Sequence, residues 1–160
     1  DIKIIFAPRH LERRAEIEHN LRQSGLNYAM MSKKPASCDI LCADQMGFLQ
    51  SLYTCAAITF VGGSIVPKGA HNLLEPAILG KVVLFGKSYH NTPDTAHALL
   101  TRGGGILVDE TNLKETVLRL LGDKTQLLDM SEKARKTALG FKGATDKIMK
   151  VVEDYERKSA

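Results

Sequence analysis

The chain has 160 residues, 44% of them hydrophobic and 25% charged, with a formal net charge of +4. That length and balance suit one soluble globular domain with a real core and are too short for two full α/β domains. The mild positive charge permits a phosphate-bearing ligand or an anionic membrane nearby. No aromatic-interleaved basic stripe accompanies it, so nucleic acid is not an expected partner.

In chain order the first element is a buried strand, Ile2 to Ala7, entered directly after Asp1 without an initiator methionine. This opening reads as a piece cut from something longer. Leu11 to Ser24 reads as a charged, imperfectly amphipathic helix stopped by Gly25. Short strands follow at Tyr28 to Met31 and Asp39 to Ala43, separated by a polar loop with Lys33, Lys34 and Pro35. Met46 to Cys55 reads as a helix and Ala57 to Val61 as a strand. A glycine-rich turn then leads into a helix that runs through Leu79 and is stopped by Gly80.

The strand Val82 to Phe85, a loop from Gly86 to Thr92 and a helix near Pro93 to Thr101 come next. Gly103-Gly104-Gly105 turns into a strand at Ile106 to Val108. Leu113, Val117, Leu120 and Leu121 mark a helical stripe ending at Gly122, and Gln126 to Leu139 continues helical. Ile148, Val151, Val152 and Tyr155 give a last amphipathic helix at i, i+3, i+4, i+7 spacing. Strands alternating with helices of this length predict right-handed βαβ units. The expected fold is therefore α/β, a single Rossmann-like domain over residues 1–160 whose mostly parallel sheet carries helices on both faces.

No apolar run approaches the roughly 18 residues of a membrane span, and nothing has the form of a signal peptide. Cys38, Cys42 and Cys55 are odd in number and lack framework spacing, so they read as free thiols in a reducing compartment. No histidine stands at finger spacing to complete a metal site with them.

The segment from Phe60 to Ala77 is the most informative. Gly62 and Gly63 allow close backbone approach to a ligand, and the N–H groups of such a turn can converge on an anion. Asn72 and Glu75, three residues apart, project from one face of the first helical turn, where Pro76 is tolerated. The same residues equally fit a plain strand–turn–helix connection in which Asn72 caps the helix and Glu75 closes a capping box.

Ligands in open α/β sheets sit beyond the carboxyl ends of the strands. Pro8-Arg9-His10, Asp44-Gln45-Met46-Gly47, the Gly62 turn and Lys87 to Asn91 all follow predicted strands. Arg9 could pair with phosphate or stack on a base, or be a solvated loop charge. Met46 could line a base pocket or fill the core. His10 and His71 could act on a ligand or bond locally, and Lys68 could touch an anion or face water.

Three ordered stretches resemble a known family. Pro8-Arg9-His10 with Glu12-Arg13, Asp44 with Met46-Gly47 and Leu52-Tyr53, and Val61-Gly62-Gly63-Ser64 through Pro67-Lys68-Gly69, His71-Asn72 and Leu74-Glu75-Pro76 look like the 3-deoxy-D-manno-octulosonic acid (Kdo) transferases. The resemblance runs from about Ile4 to Val108, and the long central stretch is its most specific part. It implies the C-terminal half of a two-domain GT-B glycosyltransferase that transfers Kdo from CMP-Kdo to a lipid A precursor in lipopolysaccharide synthesis. Transfer would invert the anomeric centre, need no essential metal or other cofactor, and occur at the cytoplasmic face of the inner membrane.

By motif, the resemblance implies that Pro8, Arg9 and Met46 hold the cytosine and that Gly62, Gly63 and Ser64 take the phosphate. Asn72 and Glu75 would contact the nucleotide, with Glu75 on the ribose; Lys68, His71 and Asn91 would be accessory. The general base and the acceptor lipid would belong to an N-terminal domain, leaving no catalytic residue in this chain and the 160 residues alone inactive. Ala70 stands where the family usually has glycine, which predicts strain if that position needs a positive φ. Asn91 is kept without the flanking phenylalanines. Open alternatives are another GT-B enzyme using a UDP-sugar, such as a transferase or epimerase, a non-catalytic nucleotide-sugar-binding module, and a flavodoxin-like scaffold without nucleotide.

Overall fold

A computed structural model of the chain describes residues 2–35 and 37–141. The predicted last helix, with Ile148, Val151, Val152 and Tyr155, lies outside them. The chain divides into two compact units, Asp1–Ala56 and Ala57–Ala160, and the strands pair in two sets of three where the sequence suggests one sheet.

In the first unit, strands β1 (Ile4–Phe6), β2 (Tyr28–Met30) and β3 (Ile40–Cys42) pair in parallel in the order β1-β3-β2. The central strand is the buried one: Ile40 and Cys42 are covered, as is Met30 beside them. Strand β1 differs from expectation. It is shorter than Ile2 to Ala7, it lies at the sheet edge, and Ile4, Ile5 and Phe6 are 49%, 37% and 43% exposed.

The helix expected over Leu11 to Ser24 forms as a 3-10 turn, Leu11–Arg13, followed by α1 (Arg14–Gln23). No residue of α1 is buried, and i,i+3 and i,i+4 ion pairs from Arg13 to Glu16 and from Arg22 to Glu18 line its surface. Helix α2 spans Leu49–Cys55 and so begins three residues later than the pattern from Met46 suggests. The reason is local: Gly47 adopts φ +89°, a left-handed conformation that no α-helix accommodates.

In the second unit, β4 (Ile58–Phe60), β5 (Val82–Phe85) and β6 (Gly105–Leu107) form a parallel sheet in the order β4-β5-β6. Helices α3 (Leu74–Ile78), α4 (Pro93–Thr101), α5 (Leu113–Gly122) and α6 (Lys124–Leu139) accompany it. All four residues of β5 are fully buried, which is why Val82-Val83-Leu84-Phe85 is an unbroken apolar run. Strand alternation divides them between two cores. Val83 and Phe85 join Leu73, Ala77, Ala96, Leu99, Ala134 and Ala138, whereas Val82 and Leu84 join Val108, Leu120 and Met130. The expectation of a parallel α/β sheet with helices on both faces is met in this unit.

Helix starts and stops here follow local chemistry. Pro93 occupies the first turn of α4, where a missing N–H costs nothing. The Asp123 side chain accepts from Gln126 N at 2.9 Å and caps α6, which starts two residues before the predicted Gln126. After α3, Gly80 N bonds to Ala77 O and Lys81 N to Pro76 O, the paired closure of a Schellman stop.

Because Phe85 is fully buried with Tyr89 packed edge-on against its ring, Phe85→Ala should destabilise the Ala57–Ala160 unit by about 3–5 kcal/mol. Denaturant unfolding followed by amide signals of β5 and α4 measures this; a loss below about 1 kcal/mol would contradict the assigned core.

Candidate functional site

In both units the loops singled out by sequence leave the same edge of their sheet. Strands β1 and β3 run parallel with Phe6 opposite Cys42, so the Pro8-Arg9-His10 loop and the Asp44-Gln45-Met46 loop share one carboxyl edge. Strands β4 and β5 run parallel with Phe60 opposite Leu84, so the glycine turn and the Gly86–Thr92 loop share another. This is the edge where α/β sheets place ligands.

In the first unit, Arg9 and His10 are exposed after β1, with Pro8 half-buried. His10 Nδ1 lies 2.7 Å from Glu12 Oε1, so this histidine engages a local partner, as one of its two readings anticipates. Met46 is 76% exposed, which removes the core-filling reading. The loop that carries it is held by Asp44, whose role the sequence does not reveal. The Asp44 side chain is 2% exposed and accepts from Ser32 N (2.8 Å) and Ser32 Oγ (2.6 Å), with the Arg14 guanidinium 3.1 Å away. Burial pushes its carboxyl upward, but the Ser32 bonds and Arg14 together outweigh that and leave it below its ordinary value.

In the second unit the glycine turn is a folded-back loop. His71 N donates to Gly62 O (3.2 Å), and Lys68 N to Val66 O (2.7 Å) at a tip where Val66, Pro67 and Lys68 are exposed. Gly63 and Gly69 take φ +78° and +93°, and a Cβ on Gly63 would stand 2.4 Å from Gly69 O. Two left-handed residues in near contact are what let the loop close. Ala70 is not the strained position: it is buried, and the positive φ falls on Gly69 before it. The alanine at 70 is therefore compatible with this turn.

Ser64 is fully buried. Its hydroxyl donates to Val61 O (2.6 Å) and accepts from Gly86 N (2.8 Å). The side chain is thus engaged within the fold, the whole residue is enclosed, and Ser64 braces the turn where the sequence suggested a phosphate contact. Asn72 and Glu75 meet as their spacing predicts, Asn72 Nδ2 donating to Glu75 Oε1 at 3.1 Å. Asn72 does not lie in the helix, however. It precedes α3 and closes an Asx turn by accepting from Leu74 N (2.9 Å). The capping box is not formed in its usual reciprocal form, because Glu75 takes its bond from the Asn72 side chain. One carboxylate oxygen is oriented by that bond and the half-buried Glu75 is held beside the glycine turn.

Sequence reasoning gave Gly86 no role and Asn91 only an accessory one. Gly86 approaches the turn so closely that a Cβ would lie 2.4 Å from Ser64 O, and Ser88 N donates to the same oxygen at 2.8 Å. Asn91 Nδ2 donates to Ala70 O at 2.7 Å. The glycine after an apolar strand was the available signal for the first; the partner of Asn91 is visible only in three dimensions. Among the described residues no three His, Cys, Asp or Glu side chains gather as metal ligands, and no helix is long and apolar enough to cross a membrane.

No protein-family model matches the chain. It is 36% identical over 124 residues to the 3-deoxy-D-manno-octulosonic acid transferase of Chlamydophila psittaci, across 76% of this chain and 29% of that protein. It is 33% identical over 135 residues to the transferase of the same name from Aquifex aeolicus, across 84% of this chain and 37% of that protein. A bifunctional glycosyltransferase/methyltransferase of Fusobacterium nucleatum is 39% identical over 119 residues, or 71% of this chain. The chain spans 29% and 37% of the length of these two transferases. Among solved structures, the C-terminal CMP-Kdo binding domain of WaaA from Acinetobacter baumannii superposes with a TM-score of 0.79 at 28% identity. That match covers 83% of this chain and 72% of the other.

The lowered carboxyl of Asp44 makes a pH prediction. Its contribution to stability is full above the ordinary carboxylate value and is lost as pH falls through the depressed one. Asp44→Asn should cost about 1–3 kcal/mol at pH 7 and flatten the decline of stability between about pH 5 and pH 2. Unfolding curves across that range measure both, and parallel curves for the two proteins would contradict the assignment.

Proposed function

Because the chain stands among relatives named Kdo transferases and resembles the C-terminal CMP-Kdo binding domain of WaaA, we propose that it is the CMP-Kdo-binding domain of a Kdo transferase, serving lipopolysaccharide synthesis. The observation that carries the reading to this chain's residues is the closed glycine turn with an oriented carboxylate beside it. A folded-back turn with two left-handed glycines presents backbone close to a ligand, and its N–H groups suit a phosphate. A carboxylate suits the paired hydroxyl donors of a ribose. Helix α3 has five residues, so its dipole is small and the turn itself is the anion cradle.

On this reading Gly62 and Gly63 take the phosphate with the buried Ser64 bracing the turn behind them, Glu75 takes the ribose, and Asn72 lies next to both. Lys68 and His71 at the rim are accessory. The contacts to cytosine by Pro8, Arg9 and Met46 rest on the motif resemblance, supported by the surface placement of Arg9 and Met46 at a strand-end edge.

During transfer the bond from the sugar's anomeric carbon to the phosphate oxygen breaks and the electron pair leaves with CMP. N–H donors aimed at that phosphate would stabilise the growing charge and so favour departure. The acceptor hydroxyl would attack from the opposite face, giving inversion, and lose its proton to a general base. We assign that base, the lipid A precursor site and the contact with the cytoplasmic face of the inner membrane to an N-terminal domain. No metal or other cofactor is needed in this scheme.

Titration with CMP should shift the amide signals of Arg9, Met46, Gly63 and Glu75 together, and UDP should bind more weakly. Scattered shifts, or a preference for UDP, would redirect the assignment to another nucleotide-sugar enzyme. Glu75→Ala should weaken CMP by about 1–3 kcal/mol in calorimetry; unchanged affinity would leave Glu75 as a partner of Asn72 alone. The 160 residues by themselves should show no Kdo transfer, and a measurable rate would overturn the division of labour between domains.

A further inference from the structure

The Gly86–Thr92 loop has no role in the scheme above, yet it grips the glycine turn at both ends. At the start of the turn, Gly86 N bonds to Ser64 Oγ and Ser88 N to Ser64 O, each at 2.8 Å. At its far end, Asn91 Nδ2 donates to Ala70 O at 2.7 Å, across 21 residues of sequence. Gly69 rests against the same side chain: a Cβ there would lie 2.8 Å from Asn91 Oδ1. The loop is itself anchored. Tyr89 packs edge-on to the buried Phe85 with ring centroids 5.8 Å apart, Thr92 N bonds to Tyr89 O, and α4 starts at once with Pro93.

From this geometry we infer that Asn91 is a positioning residue, a latch whose hydrogen bond to Ala70 fixes the exit of the glycine turn and with it the Asn72–Glu75 pair. The inference rests on the reading of the turn and Glu75 as the donor-nucleotide site, and it deepens that reading. The chain from Ala70 reaches Asn72 in two residues, and the Asx turn at Asn72 orients Glu75. A change in the Ala70 peptide plane is therefore passed directly to the carboxylate. Asn91 acts through the backbone of the turn and needs no contact with the nucleotide. Its chemistry is specific, because only a donor satisfies the Ala70 carbonyl. An ionised aspartate of the same shape would set oxygen against oxygen, whereas a protonated one would donate again.

The test compares Asn91→Ala and Asn91→Asp with the unsubstituted chain. Without nucleotide, Asn91→Ala should shift the amide signals of Gly69 to Glu75 while those of α5 and α6 stay in place. With CMP as the probe, its affinity should fall about three- to tenfold. Asn91→Asp should match the alanine variant at pH 7, and its signals and its affinity relative to the unsubstituted chain should recover as pH falls into the carboxyl range. A nucleotide-free spectrum unchanged from Gly69 to Glu75 would overturn the latch. So would lost affinity without those shifts, which would make Asn91 a direct ligand contact. Shifted signals with undiminished CMP affinity would overturn its bearing on binding. Failure of the unsubstituted chain to bind CMP would count against the site reading, while the nucleotide-free spectra would still decide the latch.

Discussion

The candidate site depends on one buried hydroxyl. Ser64 is fully enclosed just beyond β4, and its oxygen gives a hydrogen bond to Val61 O and receives one from Gly86 N at the end of β5. A buried hydroxyl without partners would cost stability, so the site tolerates only an arrangement in which both are present. That condition sets how the glycine turn leaves its strand and how closely the next strand's loop approaches. The near contact of Gly86 with Ser64 O follows from it, as does the closure of the turn between Gly62 and His71.

The two units solve the same problem with different residues. Apolar burial sets the strands: Val82 to Phe85 in one sheet, Ile40 and Cys42 in the other. Such burial is non-directional and leaves the loops beyond the strand ends undetermined. Single enclosed polar side chains then determine them, Ser64 in the second unit and Asp44 in the first. Asp44 joins the segment after β2, through Ser32, to the loop after β3, and Arg14 meets its charge from α1. Directional bonds fix geometry where hydrophobic contact cannot.

For a donor-binding domain this arrangement has a chemical consequence. The stabilisation of a departing phosphate requires donors already in place, because reorganising them during the reaction would raise the barrier. A turn tied at both ends to the loop that leaves a buried strand meets that requirement without a long helix behind it.

Much of the fold was legible in particular residues. The run Val82-Val83-Leu84-Phe85, the stop at Gly80 and the start at Pro93 were read correctly because each is a local signal with a local cause. The pairing of Asn72 with Glu75 was legible for the same reason, a three-residue spacing on one side of a turn. The burial of Ile4 to Phe6 was misread, since apolar composition does not tell an edge strand from a central one. The start of α2 was placed too early because Gly47 was read as helical.

Sequence by itself determined the strand and helix order, the glycine turn and the carboxylate beside it, because these rest on periodicity and on backbone rules that act over a few residues. Only the tertiary structure decided that the Ser64 hydroxyl faces inward, that Gly69 rather than Ala70 takes the left-handed conformation, and that Asp44 and Asn91 hold their loops. Each of those outcomes is a single directional bond or close approach between segments distant in sequence. Such a contact has no period to repeat and exists only once the sheets have brought the strand ends together.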